Sequence, residues 1–450
     1  MKPPKSKMAE LSPNATGGGK FHAETAESAE FKMTELGPIP VDWEVKRLGD
    51  LFELSAAGDL QTECSSRIKT DINIHPIYSN GLEDAGLYGY TSKPRYRADS
   101  ITITGRGTLG HAEYRTLDFD AIIRLIVMRP SRRLDGRYVA FQINYSNPFH
   151  FEITSIPQLT VPQVSQALIL LPPLAEQRRI AGALSDVDEL ISALGKLIEK
   201  KRNIKTGAMQ ELLTGKTRLP GFGNPETQSL CASVLKKDTE FEDLDFNTET
   251  QRHEVTEFKM TELGPIPKDW EVKRLGDVAN ILDNRRVPLS ESQRKSGAFP
   301  YCGANGIVDY IDRYEFDEEA VLIAEDGGNF ADFATRPIAY KMSGKYWVNN
   351  HAHVLTVKAC CDLDYLFSYL SHKDITDIIS GGTRAKLTRA QLENIIISLP
   401  PLAEQQAIAA VLSDIDAEIA ALEADRAKYE SIKQGMMQEL LTGKTRLKGE

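Results

Sequence analysis

No apolar run in this chain approaches the roughly 18 residues of a membrane helix, and the N-terminus has no signal-peptide core. A cytoplasmic protein with no membrane partner is expected. Cysteine is scarce: Cys64, Cys231, Cys302, Cys360 and Cys361 are an odd set without Cys-x-x-Cys spacing. That excludes a zinc ribbon and a disulfide scaffold. Net positive charge is also missing. At −10 the chain as a whole would repel a polyanion. The charge is unevenly spread, however. Residues 222–257 are strongly acidic, whereas 51–170 are roughly balanced. That balanced block holds basic clusters at Lys93, Arg95 and Arg97, and at Arg124, Arg129, Arg132, Arg133 and Arg137. Local clusters decide phosphate contact, so the global charge excludes little.

What is present is a duplication. Leu-Pro-Pro-Leu-Ala-Glu-Gln opens at Leu171 and again at Leu399, and Gln-Glu-Leu-Leu-Thr-Gly-Lys-Thr-Arg-Leu closes at Gln210 and Gln438. Between these ends neither copy has a proline. Apolar residues fall at Ile180, Leu184, Val187, Ile191, Leu194, Ile198, Ile204 and Leu212. The second copy has Ile408, Leu412, Ile415, Ile419, Leu422, Tyr429, Ile432, Met436 and Leu440. Steps of four and three make a heptad seam, so two long helices are expected to pair with each other. A second repeat, Phe-Lys-Met-Thr-Glu-Leu-Gly-Pro-Ile-Pro with a Trp after it, starts at Phe31 and Phe258. The whole chain is therefore two tandem halves.

The expected fold class is α+β. Its segments are a flexible tail (1–30), a mixed block (31–170), a long helix (171–219), an acidic linker (220–257), a second block (258–398) and a second helix (399–450). Within the blocks, runs at 101–104, 121–128, 321–324 and 354–357 read as strands, with short helices near 138–143 and 365–370.

Several strings resemble catalytic motifs without their context. Residues 105–110 satisfy Gly-x-Gly-x-x-Gly, yet another apolar strand follows where a cofactor loop needs a helix. Gly215-Lys216-Thr217 and Gly443-Lys444-Thr445 lack the first glycine of a phosphate loop and read as helix stops. Asn147-Pro148-Phe149 lacks the second proline of a methyltransferase loop and reads as a turn. His351 and His353 would share one strand face, with no evident third metal ligand, and read as hydrogen-bonding groups.

The duplicated helix signature, with Gly37-Pro38-Ile39-Pro40 and Trp43 matched by Gly264-Pro265-Ile266-Pro267 and Trp270, resembles the specificity subunit of type I restriction–modification systems. The resemblance implies two target-recognition domains, each reading half of a bipartite asymmetric duplex DNA target, held apart by two antiparallel helices. It implies no catalytic centre and no cofactor on this chain. Two methyltransferase subunits would bind S-adenosylmethionine, and two restriction (motor–nuclease) subunits would use ATP and Mg. The rival readings are an adenosylmethionine-dependent methyltransferase with 105–110 as its cofactor loop, and a coiled-coil interaction scaffold.

Matching the two blocks gives candidate DNA contacts. Asn80-Gly81 pairs with Asn305-Gly306, and Gly105-Arg106-Gly107, followed by Thr108, pairs with Glu325-Asp326-Gly327. Residues 154–160 pair with 382–388, placing Gln158 opposite Lys386 and adding Thr160, Thr383 and Arg384. Lys93, Arg95, Asn350 and His351 complete the set. Arg or Lys suits guanine and Gln or Asn suits adenine, so unlike groups in equivalent slots fit two domains reading different bases. Polar residues repeated beside the seam, Glu176, Gln177, Asp186 and Asp188 with Glu404, Gln405, Asp414 and Asp416, are expected to dock an equivalent partner on each half.

Overall fold

A computed structural model describes residues 30–149, 157–222, 257–379 and 385–448. The tail, nearly all of the acidic linker, and Thr383 and Arg384 lie outside the described residues. The chain divides into two compact units, residues 1–195 with 425–450, and residues 196–424. These are not the tandem halves. Each unit takes the opening half of one long helix and the closing half of the other.

The long helices run Leu174–Leu212 and Leu402–Leu440, 39 residues each. The Pro-Pro steps before them leave carbonyls that accept the first helical N–H groups: Glu176 and Gln177 donate to Pro173, and Glu404 and Gln405 to Pro401. Both end at a left-handed glycine, Gly215 (φ +70°) and Gly443 (φ +74°). A Cβ there would lie 2.5 Å from Pro267 Cδ in the second unit and 2.7 Å from Pro40 Cγ in the first. The expected helix stops are therefore also packing points. Along the seam Ile180, Leu184, Ile198, Leu212, Ile408, Leu412, Ile419 and Leu440 are buried. Ile204 and Ile432, read from sequence as seam residues, are 41% and 40% exposed and lie off it.

Each mixed block has the same frame. In the first unit a four-stranded sheet runs in the order Phe52–Ala56, Leu125–Pro130, Ser100–Thr104, Ala112–Arg115. In the second the order is Ala279–Ile281, Ala352–Val357, Ala320–Ala324, Ala339–Met342. Helices Gly136–Ser146 and Leu363–Ser371 cover these sheets, as expected. Each is N-capped by an aspartate, Asp135 or Asp362, whose carboxylate accepts two backbone N–H groups. A second small sheet in each block carries the hairpin His75–Tyr78 with Leu87–Thr91, or the long strand Ser296–Gly303. Sequence reading makes 121–128 one strand. The structure breaks it into Asp120–Ala121 and Leu125–Pro130, in different sheets, with Arg124 at φ +82° between them.

Trp43 and Trp270 are fully buried at the centre of their units' cores. Each indole N–H donates to a buried helix carboxylate: Trp43 to Glu176 (3.1 Å), Trp270 to Glu404 (3.0 Å). An arginine closes each clamp. Arg446 donates to both Glu176 oxygens (2.8 and 2.7 Å) and to Asp42, while Arg218 donates to both Glu404 oxygens (2.6 and 2.6 Å) and to Asp269. The Arg446 hydrogen bond holds the Asp42 carboxyl below its usual range. At Glu404 burial wins over Arg218 and pushes the carboxyl up.

Candidate nucleic-acid interface

Three segments of the first unit converge at one end of its sheet. The loop after Ser100–Thr104 begins at Gly105, whose N–H donates to Arg124 O (2.6 Å) and whose carbonyl accepts from Leu159 N (3.0 Å). A Cβ on Gly105 would meet those carbonyls of Arg124 and Leu159 at 3.1 and 3.2 Å. Asn80, at the end of the neighbouring hairpin strand, donates its amide to Arg106 O (3.2 Å). The Arg106 side chain crosses to Gln158, giving Oε1 two bonds, from Nε (3.2 Å) and Nη2 (2.7 Å). Gly81, Gly107 and Thr108 are exposed on the same rim. A cleft of about 450 Å³ lies here, lined by Ala56, Gly105, Arg106, Arg124, Gln158 and Thr160 among others.

The second unit builds the same frame with different groups. Glu325 N donates to His351 O (2.8 Å) and Leu387 N to Glu325 O (2.7 Å), the bonds that Gly105, Arg124 and Leu159 make in the first unit. Asn305 donates to Gly327 O (2.9 Å), much as Asn80 serves its loop. Strand register extends the match: Ala56 sits beside Ile126, while the same register brings Asp283 to His353. Places that are apolar or bare in the first unit thus hold charge in the second. Glu325 bonds Lys386 (2.8 Å) and Arg286 (2.7 Å), and His353 bonds Asp283 (2.6 Å) and Leu387 O (2.8 Å). Burial would raise the Glu325 carboxyl, but hydrogen bonds from Lys386 and Arg286 outweigh it and hold it low. Burial likewise pushes the Asp283 carboxyl up, but the His353 hydrogen bond and the nearby Arg286 outweigh it and hold it low.

His351 and His353 do not share a strand face. His351 stands in the turn before Ala352–Val357 and bonds Asp326 (2.5 Å), while His353 points inward. The fold also supplies what spacing could not, since Asp283, Glu325 and His353 lie close enough to hold a metal. The Arg286 guanidinium reaches both acids and already provides their positive charge.

Other sequence-derived candidates separate from these clusters. Lys93 and Arg95 follow the far end of the hairpin from Asn80, and Arg95 spends its donors on Asp120, Asp59 O and Ala121 O. Arg95 is thus a structural tie through its Nε and Nη2. Thr160 caps the helix Val161–Gln166 with Gln163, so its hydroxyl is already engaged. Gly306, Asn350 and Gly327 lie at or near the second rim, Asn350 and Gly327 being exposed. Glu176, Gln177, Glu404 and Gln405 are at most 3% exposed, so they cannot form an exposed docking face. Both glutamines tie their helix to the neighbouring helix cap, Gln177 accepting from Asp135 N and Gln405 from Asp362 N. Asp188 and Asp416 pair with Lys433 and Lys205 of the other long helix, leaving Asp186 and Asp414 exposed.

Sequence reading missed two site residues. Arg124 stands in the sequence only as part of a basic cluster within an apparent strand; its positive φ, shared among the described non-glycine residues with Asp84, Ala85, Asp99 and Asn147, marks the break in that strand. Arg286 had no signal, because its partners Glu325 and Asp283 are recognised only once the sheet is formed.

The model of the type I restriction modification DNA specificity domain matches residues 40–203 and 267–434. The putative type I restriction enzyme MjaX specificity subunit of Methanocaldococcus jannaschii is 28% identical, over 93% of this chain and 97% of that protein. The putative subunit S.HindORF215P of Haemophilus influenzae is 42% identical, over 33% of this chain and 37% of its own length. The crystal structure of the type I system S subunit from M. genitalium superposes with a TM-score of 0.60 at 15% identity, covering 91% of this chain and 98% of that one.

Proposed function

The chain belongs to the family of type I restriction–modification DNA specificity subunits, and from that premise we propose that each unit reads one half of a bipartite, asymmetric duplex target. One observation carries this reading: the two units hold equivalent loops by equivalent backbone bonds, yet offer different polar groups. A shared frame with altered tips is what two readers of unlike sequence require. Exchanging residues 51–170 for another recognition domain is expected to change one half of the methylated motif. A change in both halves defeats the modular reading.

In the same proposal the long helices pair antiparallel and set the spacer between half-sites. Support comes from ion pairs between them within each unit: Lys433–Asp188 in the first, Lys205–Asp416, Lys201–Glu418 and Arg202–Glu423 in the second. Four residues added in mid-helix lengthen it by about 6 Å, comparable to one or two base pairs at about 3.4 Å each. The spacer should grow accordingly, and an unchanged spacer refutes the ruler.

The helices also dock the partners, two methyltransferase and two restriction subunits, which carry the S-adenosylmethionine, ATP and Mg chemistry. Each unit carries the same exposed residues for this, Asp186 with Ile432 in the first and Asp414 with Ile204 in the second. Action on DNA puts the assembly in the cytoplasm. Among the described residues no helix is long and apolar enough to cross a membrane. Adenosylmethionine binding by this chain alone, measured by calorimetry, would instead support the methyltransferase reading.

A further inference from the structure

The cleft of the first unit has a one-sided hydrogen-bonding character. Its lining holds Arg106, Arg124 and Gln158 and no carboxylate. Gln158 Oε1, the side chain's acceptor, already takes two bonds from Arg106. What Gln158 still offers is its amide N–H, and Arg106 Nη1 and the Arg124 guanidinium make no hydrogen bond among the described residues. Every polar side-chain group that this trio turns outward is therefore a donor.

The Arg106 and Gln158 donors are also held in place, as is the backbone that carries Arg124. Asn80 and the Gly105–Leu159 bond fix the backbone on both sides of Arg106, and the two bonds to one oxygen fix its guanidinium plane. Arg124 keeps a left-handed backbone, φ +82°, in which its carbonyl accepts from Gly105 N. Such strain in a non-glycine residue persists only where the surroundings enforce it, and it clusters where geometry matters for binding. Phosphate contacts tolerate mobile cations, whereas base reading needs donors aimed in advance.

From this, and resting on the DNA-recognition reading above, we infer that Arg106, Gln158 and Arg124 form the guanine-reading element of the first domain. Guanine alone presents two acceptors, N7 and O6, on its major-groove edge. Adenine and cytosine present amino groups that need an acceptor, and the Gln158 oxygen that could serve is occupied. Glutamine at position 158 would by itself point to adenine; its bond to Arg106 reverses that assignment. The second domain differs at each equivalent place, since Asp326 and Glu325 put acceptors beside Lys386 and His351.

The test is methylome sequencing of cells in which the full chain is coexpressed with the methyltransferase subunit of its own system. Wild type is compared with Arg106→Ala, Gln158→Ala and Arg124→Ala. The expected wild-type motif has a G·C pair in the half assigned to the first domain. Arg106→Ala should lower discrimination at that pair by roughly 10- to 100-fold while the other half stays fully read. The intact half reports that the assembly is folded. Gln158→Ala, at an exposed position, should relax the same pair to a smaller extent, and so settles the matter if Arg106→Ala abolishes all methylation. An unchanged motif in these variants, relaxation at an A·T pair, or an even loss across all sequences with a shallower salt dependence would each overturn the inference, the last by making the trio a phosphate clamp. A wild-type chain that yields no bipartite motif overturns the recognition reading itself, and this inference with it.

Discussion

Ala56, Gly105, Ile126 and Gln158 in the first unit stand where Asp283, Glu325, His353 and Lys386 stand in the second. The backbone around them is the same, down to the N–H groups of Gly105 and Glu325 donating to the carbonyls of Arg124 and His351. In one unit the result is an open cleft with arginines on its rim. In the other, Arg286 sits within a charged network with Asp283, Glu325 and His353. The four-stranded sheets have the same strand order, and the Trp–Glu–Arg–Asp clamp recurs bond for bond. A duplicated chain has kept its main sheet and its clamp, and has varied the side chains at one end of that sheet and the strand pairing of the smaller one.

The largest expected effect tests the shared frame. Arg446→Ala leaves buried Glu176 without its counter-ion and should cost about 3–5 kcal/mol. Arg218→Ala should do the same to Glu404. Calorimetry with hydrogen exchange should show each loss confined to its own unit, and equal loosening of both by either variant would break the comparison. Next comes the varied position itself. Glu325→Ala strips Arg286 of a carboxylate and should cost about 2–3 kcal/mol. Gly105→Ala instead presses a methyl against two backbone carbonyls and should cost about 1–2 kcal/mol. If thermal melting shows both variants neutral, the loops are looser than their hydrogen bonds imply.

The smallest effect is local and depends on pH. Asp283 and Glu325 have folded-state pKa values below their ordinary 3.8 and 4.5. Their contribution is therefore present above those ordinary values and is lost as pH falls through the depressed ones. Ala56 and Gly105 cannot titrate. Amides of Ala320–Ala324 and Ala352–Val357 should lose more exchange protection between pH 6 and pH 3 than those of Ser100–Thr104 and Leu125–Pro130. Equal loss would remove the electrostatic distinction between the two sites.

Much of this was legible in the sequence. The duplication, both long helices, the two short helices and the pairing of Gly105 with Glu325 and Gln158 with Lys386 all follow from pattern and spacing. The errors share one cause. Glu176 and Glu404 were repeated for a structural reason, since each unit builds its own clamp, with partners 270 and 186 residues away in sequence. No local pattern shows that a glutamate on a helix faces inward to an arginine so distant. The tie between Arg95 and Asp120 is hidden in the same way, since only the fold brings the two together. Arg124 sat in an apolar run whose break is a backbone turn, carried by no glycine or proline.

The clamp at Arg446 also bears on the order in which the molecule can be made. The first unit includes residues 425–450, whereas the second is complete at residue 424. Synthesis from the N-terminus therefore supplies every residue of the second unit before it supplies Arg446, which the first unit needs to close its clamp on Glu176 beside Trp43. Truncation before Arg446 is expected to open the first unit's clamp and leave the second unit's Arg218–Glu404 clamp whole.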